Sequence, residues 1–287
     1  MSGGPEPKLV GGGDEAPPKA GQETLSLVIP AYNEESRLPA LLETLATTAD
    51  AAVEAGGFRL LETLIVDDGS SDRTWEMLGE AGLSDPRLYP VSVGDRNQGK
   101  GAAVAAGVRH ASGDYVLLAD VDLSTPLEEL QKLGDAVRAG ADLAIGSRAA
   151  AGAVVERGPA HRKLMGKAFN GTVRGLTGLD LKDTQCGFKL IPTPMAKQLL
   201  SGQECPGFAF DVEMLMRARL ASLRVAEVPV VYVHDHHSRV KVVGASLEML
   251  RDVTRLAYRL RLRGSSRGLR PGMQRGPLAE FSADDRD

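Results

Sequence analysis

The residues best suited to chemistry are Asp120 and Asp122, two carboxylates one residue apart that end the apolar run Tyr115-Val116-Leu117-Leu118-Ala119. Hard oxygen donors in that number suit Mg2+ or Mn2+, which complete their shells with water and phosphate oxygens. In an extended strand positions i and i+2 point the same way, so the spacing lets both carboxylates face one cation. A lone Asp-X-Asp is in most cases two solvated turn aspartates, and its company decides. Polar clusters also follow the other apolar runs: Tyr32-Asn33-Glu34, Asp67-Asp68-Gly69-Ser70 and Ser147-Arg148. Asn97-Gln98-Gly99-Lys100-Gly101 places glycines on both sides of a lysine at a helix start, which suggests a phosphate cradle. Its spacing is not G-x-x-x-x-G-K-[ST], so a nucleoside-triphosphatase loop is excluded.

Positioning these groups falls to the apolar runs themselves. They are continuous rather than alternating, as in strands buried on both faces of a parallel sheet. Leu25–Pro30, stopped by its proline, Leu61–Val66, Leu88–Val93, the run Tyr115–Ala119 and the stretch Asp142–Arg148 read as strands with their polar ends. Between them, helical spacing appears at Leu38, Leu41, Leu42 and Leu45, at Trp75 and Leu78 behind a capping Asp72, over 102–111 and over 126–139. Thr125-Pro126-Leu127-Glu128 has the form of a capping box opening the last of these. Strand–helix repeats imply a parallel sheet with right-handed crossovers, whose carboxyl edge is where such sheets bind ligands. Four polar loops on that edge make a ligand site, not four coincidental turns. Beyond 150 the pattern changes. Gly152–Gly158 reads as a mobile loop, His161-Arg162-Lys163 opens a helix, Asp183–Leu190 is a turn entering a strand, Phe208-Ala209-Phe210-Asp211-Val212-Glu213 starts a helix, and Val225–Val233 is a last strand.

With 287 residues, 43% hydrophobic and 25% charged, the chain has the composition of a globular enzyme with a sizeable core. A net charge of −4 argues against bulk binding to nucleic acid. The two cysteines, Cys186 and Cys205, have no metal-ligand spacing and read as buried thiols in a reducing compartment. No run approaches the roughly 18 apolar residues of a membrane span, so the chain is expected in the cytosol. Residues 1–23 have little to bury and read as a disordered leader. From 246 to 263, Leu247, Leu250, Val253, Leu256, Ala257 and Leu260 keep helical spacing, while Arg251, Arg255 and Arg259 form a stripe at i, i+4. Two readings stand for this helix: packing on the domain with a solvated arginine face, or contact with anionic lipid headgroups.

Taken in order, Val28-Ile29-Pro30-Ala31-Tyr32-Asn33-Glu34, Val66-Asp67-Asp68-Gly69-Ser70, Asn97-Gln98-Gly99-Lys100-Gly101 and Asp120-Val121-Asp122 resemble the family 2 glycosyltransferases of the GT-A fold. Gly146-Ser147-Arg148, Asp183-Thr184-Gln185-Cys186-Gly187-Phe188-Lys189 and Phe210-Asp211-Val212-Glu213 look like the dolichyl-phosphate β-glucosyltransferase branch. The resemblance runs from about 25 to 260. It implies a single α/β domain over 24–240, a mostly parallel Rossmann-like sheet flanked by helices. The basic amphipathic helix (241–263) and a flexible tail (264–287) follow. The eukaryotic members carry an N-terminal membrane helix where this chain has its leader. The Gln-x-x-Arg-Trp motif of processive members is missing, so polymer synthesis is not expected.

The resemblance further implies an inverting transfer of a hexose, glucose from UDP-glucose, onto a polyprenyl or dolichyl phosphate at the cytoplasmic membrane face. It places Pro30, Tyr32 and Glu34 around the base and ribose, Asp68 on the base and Lys100 near the nucleotide. Asp120 and Asp122 would bind ribose and the Mg2+ or Mn2+ ion. Ser124 stands where a related mannosyl-phosphate synthase has a glutamine ligand. Arg148, Arg162 and Arg239 would hold the acceptor phosphate or the pyrophosphate, and Asp211 aligns with the base used for hydroxyl acceptors. A phosphate acceptor, with a second pKa of about 6, is already largely ionised at neutral pH and does not require that base. The alternatives are mannosyl transfer from GDP-mannose to the same lipid, glucosyl transfer to a soluble acceptor, and a non-catalytic nucleotide-sugar-binding protein at the membrane. A sugar nucleotidyltransferase would need a glycine-rich first loop that is not present.

Overall fold

The structure is a computed structural model that describes residues 22–156, 170–233 and 242–263. The expected tail, nearly all of the expected leader, and the candidate residues Arg162 and Arg239 lie outside the described residues.

The first half alternates as its apolar runs require: β1 (Thr24–Ala31), α1 (Leu38–Thr47), α2 (Ala49–Ala55), β2 (Arg59–Asp67), α3 (Thr74–Ser84), β3 (Leu88–Ser92), α4 (Lys100–His110), β4 (Tyr115–Leu118), α5 (Leu130–Arg138) and β5 (Leu143–Ser147). Then come β6 (Val154–Val155), a helix over 170–177 (α6), β7 (Lys189–Pro192), α7 (Thr193–Leu200), α8 (Phe210–Leu220), β8 (Val225–Pro229), β9 (Val231–Tyr232) and α9 (Val242–Arg263). The main sheet runs β3-β2-β1-β4-β7-β5-β8, parallel except for β7. Successive residues of β1 serve two different cores, Val28 on the side of α4 and Leu27 and Ile29 on the side of α1 and α2. This is why the strand sequences do not alternate: helices cover both faces. Helix α4 is rich in alanine and glycine because it lies very close to the sheet. A Cβ on Gly107 would come within 2.5 Å of Val28 Cγ1 and 2.9 Å of Val66 Cγ2.

Four local readings change. The capping box does not form: Pro126 is the cap residue, a 3-10 turn covers Leu127–Glu129, and the Thr125 hydroxyl lies 3.9 Å from Cys186 Sγ instead. Strand β7 is antiparallel, and α7 follows it immediately. Thr193 ties that junction to the amino end of β4, donating from N–H to Asp114 O (2.9 Å) and from its hydroxyl to Gly113 O (2.6 Å). Running backwards, β7 starts at the carboxyl edge of its neighbours, which delivers Cys186 and Gly187 to the site. The expected single strand over Val225–Val233 breaks at Pro229, and β9 leaves the main sheet to pair with β6, inside the stretch read as a loop. Helix α9 packs on the domain through Val253, Leu256 and Ala257, all buried in the core that includes α8. Among the described residues no helix is long and apolar enough to cross a membrane. Both cysteines are buried free thiols.

Candidate active site

Strands β1, β2, β4 and β5 point the same way, so the four polar clusters leave the sheet at one edge. The first two are laced together. Asn33 N–H donates to Ser70 Oγ (2.8 Å), Ser71 N–H to Asn33 Oδ1 (2.8 Å), and Glu34 N–H to Thr74 Oγ1 (2.8 Å). Asn33 sits at φ 54°, a left-handed conformation that asparagine tolerates better than most residues. Glu34 pairs with Arg37 at 3.0 Å, Pro30 lies within β1, and Tyr32 is half-exposed on the rim.

The neighbours Asp67 and Asp68 differ in role. Asp68 is buried, and its two oxygens accept the backbone N–H groups of Gln98 (2.7 Å) and Gly99 (2.8 Å). Burial and the adjacent Asp67 charge push its carboxyl above the ordinary range despite those two bonds. Asp67 is also buried and accepts the Ser70 N–H through Oδ2 (3.2 Å), but its Oδ1 has no hydrogen-bond partner among the described residues. A buried carboxylate oxygen without a partner is costly, and here it lies at the carboxyl end of a strand. The resemblance pointed to Asp68 for the donor base. Each of its oxygens accepts one backbone N–H of the 97–99 loop and keeps a lone pair, while Asp67 beside it has an oxygen with no partner among the described residues.

Asp120 and Asp122 lie beyond β4 in a turn closed by Leu123 N–H on Asp120 O (3.0 Å), with Leu123 at φ 42°. The strand argument for a shared direction therefore does not apply. Asp122 accepts the Ser124 N–H (3.0 Å) and borders a cavity of about 400 Å3 against Ala40, Leu41 and Thr44 of α1. Asp120 accepts from Lys100 Nζ at 2.5 Å. It borders a second cavity of about 10 Å3, room for one water, with Ser124, Arg148, Gly187 and Tyr232. The Ser124 hydroxyl is buried without a partner among the described residues. Gly187 is required by Asp120: a Cβ there would lie inside contact distance of the whole carboxylate.

Around Asp120 the charges alternate. Lys189, fully buried, donates to Asp211 Oδ1 (2.6 Å) and to Cys186 O. Burial opposes the charge on Asp120, but Lys100, Lys189 and Arg148 outweigh it and hold its carboxyl below the usual range. Burial likewise opposes the charge on Lys100, and Asp120, Asp211 and Asp122 together hold its amine above the usual range. For Asp211 the balance reverses. Burial and Asp120 prevail over Lys189 and Lys100, and its carboxyl is raised. Arg148 is gripped by Asp183 through Nε (2.6 Å), Nη2 (2.9 Å) and its backbone N–H (3.0 Å), and its guanidinium lies 5.2 Å from the centre of the Tyr232 ring. Asp183 is fixed by Glu227, which accepts the Lys182 and Asp183 N–H groups (3.0 and 2.7 Å).

The structure therefore brings together Asp120, Asp122, Lys100, Arg148 and Asp211. Asp67, Gly187, Lys189 and Asp183 join them without having been assigned a role from sequence. Lys189 carried a readable signal, a charged residue inside Gly187-Phe188-Lys189-Leu190-Ile191, since a lysine is rarely fully buried unless paired. Asp120 and Asp122 are a fitting donor set for Mg2+ or Mn2+. No group of three or more His, Cys, Asp or Glu is assembled for a metal among the described residues; Asp120 and Asp122 offer two carboxylates of the kind such ions prefer.

Residues 26–200 match the model of glycosyl transferase family 2. The chain is 34% identical to dolichyl-phosphate β-glucosyltransferase ALG5C of Trichomonas vaginalis over 82% of this chain and 71% of that protein. It is 36% identical to dolichol-phosphate mannosyltransferase of Pyrococcus furiosus over 81% of this chain and 63% of that protein. Among solved structures, glucosyl-3-phosphoglycerate synthase of Mycobacterium tuberculosis, crystallised with Mn2+, UDP and glucosyl-3-phosphoglycerate, superposes with a TM-score of 0.59 at 20% identity, covering 84% of this chain and 81% of that one. That likeness shows the GT-A fold. With the edge-on aspartate pair, the family match over most of the sheet and relatives above 30% identity along four-fifths of its length, this chain belongs to glycosyltransferase family 2.

Proposed function

We propose that this chain transfers glucose from UDP-glucose to a polyprenyl or dolichyl phosphate, inverting the anomeric centre. The observation that carries the proposal is the meeting of Asp120, Lys100 and Arg148 on one edge, next to Asp122, in a chain whose relatives include dolichyl-phosphate β-glucosyltransferases. In this reading Pro30, Tyr32 and Glu34 frame the base and ribose, and the free Oδ1 of Asp67 takes the base contact in place of Asp68. Asp122 and Asp120 hold the Mg2+ or Mn2+ ion, which when bound neutralises charge on the departing diphosphate. Lys100 and Arg148 add fixed positive charge around that leaving group and the incoming phosphate. Because these groups are preorganised, they contribute most where charge develops. A phosphate oxygen of the acceptor attacks the anomeric carbon from the face opposite the diphosphate. One C–O bond forms as the other breaks, and an α-linked donor gives a β-linked product. No proton has to be removed, which fits an Asp211 buried against Lys189 rather than presented to an acceptor. Asp211 serves here to order Lys189 and Lys100.

The experiment is a donor panel (UDP-glucose, UDP-galactose, GDP-mannose) with a polyprenyl phosphate acceptor, read by product mass. A hexosyl lipid phosphate formed from UDP-glucose is expected, and transfer from GDP-mannose alone would overturn the donor assignment. That second reading has support of its own, in the Pyrococcus relative and in polyprenol monophosphomannose synthase of Mycolicibacterium smegmatis, 32% identical over 82% of this chain. The exposed Arg251, Arg255 and Tyr258 of α9 are proposed to meet the anionic headgroups of the membrane that holds the acceptor.

A further inference from the structure

The glycines on either side of Lys100 turn out to face the rest of the chain. A Cβ on Gly99, which is at φ 105°, would come within 2.5 Å of Pro206 O, and one on Gly101 would collide with the Gln203 amide, with Phe210 Cβ at 2.5 Å and with Cys205 O at 2.8 Å. Pro206 O also accepts the Ala102 N–H at 3.0 Å. The segment between α7 and α8 therefore lies as a strap across the first turn of α4. On its other side the same turn is held by Asp68, through the N–H groups of Gln98 and Gly99.

Within the strap Cys205 is buried in the core, Arg259 of α9 pairs with Glu204, and side chains of α8 hold the backbone. Glu213, 1% exposed on the first turn of α8, accepts the Glu204 N–H (2.9 Å) and the Cys205 N–H (2.7 Å). Arg217, one turn further along, donates to Glu213 Oε1 from Nη2 (2.6 Å), and to Ser201 O (2.6 Å) and Gly202 O (2.5 Å). Two side chains of α8 thus fix the backbone at residues 201, 202, 204 and 205, and residue 206 then seats α4. From there Lys100 reaches Asp120 at 2.5 Å. Charge-assisted bonds to backbone N–H groups are strong and geometrically exacting, and a site misplaced by a fraction of an ångström loses much of its effect.

We propose that Glu213 is a positioning residue for the donor site: through the strap it seats the first turn of α4 and so sets Lys100 against Asp120. This rests on the reading of Lys100 as a donor-binding cation. The test is UDP binding by calorimetry in the presence of Mn2+, for the full chain, Glu213→Gln, Lys100→Ala and the double variant. Glu213→Gln is expected to weaken UDP about tenfold and to raise the KM for the sugar donor while leaving that for polyprenyl phosphate unchanged. In the Lys100→Ala background it should add less than about twofold, because the group it positions is gone. Should Glu213→Gln fail to fold, Glu213→Asp keeps the charge but draws the carboxylate back from the Glu204 and Cys205 N–H groups, and the same non-additivity with Lys100→Ala is expected. Equal losses in both backgrounds, or unchanged UDP affinity in folded Glu213→Gln, would overturn the positioning role and leave the donor site standing. An absence of UDP binding by the unaltered chain would instead remove the donor site itself, and this inference with it.

Discussion

At the residue scale, the two aspartates of the Asp120-Val121-Asp122 turn have different neighbours and so should fail differently. Asp122 lines the larger cavity and accepts only the Ser124 N–H among the described residues, so Asp122→Asn removes the charge of the proposed metal donor without stranding a partner. Transfer should fall at least 100-fold with the melting temperature nearly unchanged, as measured by product mass and thermal melting. The Asp67 and Asp68 pair offers the complementary contrast. Asp68→Asn replaces one of two oxygens that accept backbone N–H groups and should cost about 1–3 kcal/mol of stability in urea unfolding. Asp67→Asn leaves the loop in place and should weaken UDP binding at near-normal stability. Asp183 gives a prediction in pH. Burial raises its carboxyl, but Arg148 overcomes this and holds it below the usual range. Its ionised form therefore stabilises the fold fully above the unfolded value of about 3.9, and that contribution is lost as the pH falls through the lower folded value. Asp183→Asn should be less stable than the unaltered chain at pH 7, with the gap narrowing below about pH 4 in denaturant titrations.

At the scale of elements, the reversed β7 and the packed α9 contribute most to the site and its surroundings. Strand β7 delivers Gly187 to Asp120 and buries Lys189 beneath Asp211, so one antiparallel strand supplies the floor of the site. Helix α9 buries Val253, Leu256 and Ala257, while Arg259 pairs with Glu204 at 2.6 Å. Deleting the helix would expose core, so its membrane role is better probed by charge. Each arginine close to an anionic surface contributes about 1 kcal/mol. Arg251→Glu with Arg255→Glu should leave the fold intact and abolish sedimentation with anionic vesicles, while binding of the unaltered chain should fall as salt is raised. Equal sedimentation of both proteins would make α9 a packing element only.

At the scale of the whole molecule, two cores on opposite faces of one sheet hold the fold. The two aspartates proposed to hold the ion lie in a single turn beyond β4, so an ion there would not by itself join one element to another. Chelation should therefore stop transfer while leaving the melting temperature within about a degree. A large loss of stability on chelation, seen by calorimetry, would show that the metal has a structural role.

The alternation of strands and helices through β5, α2 apart, the carboxyl edge and the loops that meet there were legible in the sequence, whereas α7, β6 and the break between β8 and β9 were not. Apolar runs, proline stops and polar strand ends are local signals, and parallel crossovers leave little freedom in how such units stack. The sequence also determined that Asp120, Asp122, Lys100 and Arg148 share that edge, since each follows or opens its own element. Tertiary structure alone decided how these groups are used. The reversal of β7 depends on anchoring at Gly113 and Asp114, some 80 residues away in sequence. The division of labour between Asp67 and Asp68 depends on a loop about 30 residues further on. The glycines beside Lys100 looked like a phosphate cradle because closeness to any backbone or anion selects glycine, and only the packed chain shows that the neighbour is the strap at Cys205 and Pro206. Hydrogen-bond partners far apart in sequence leave no periodic trace, so the alternating charges of Asp120, Lys100, Asp211 and Lys189 became visible only once the strands were side by side.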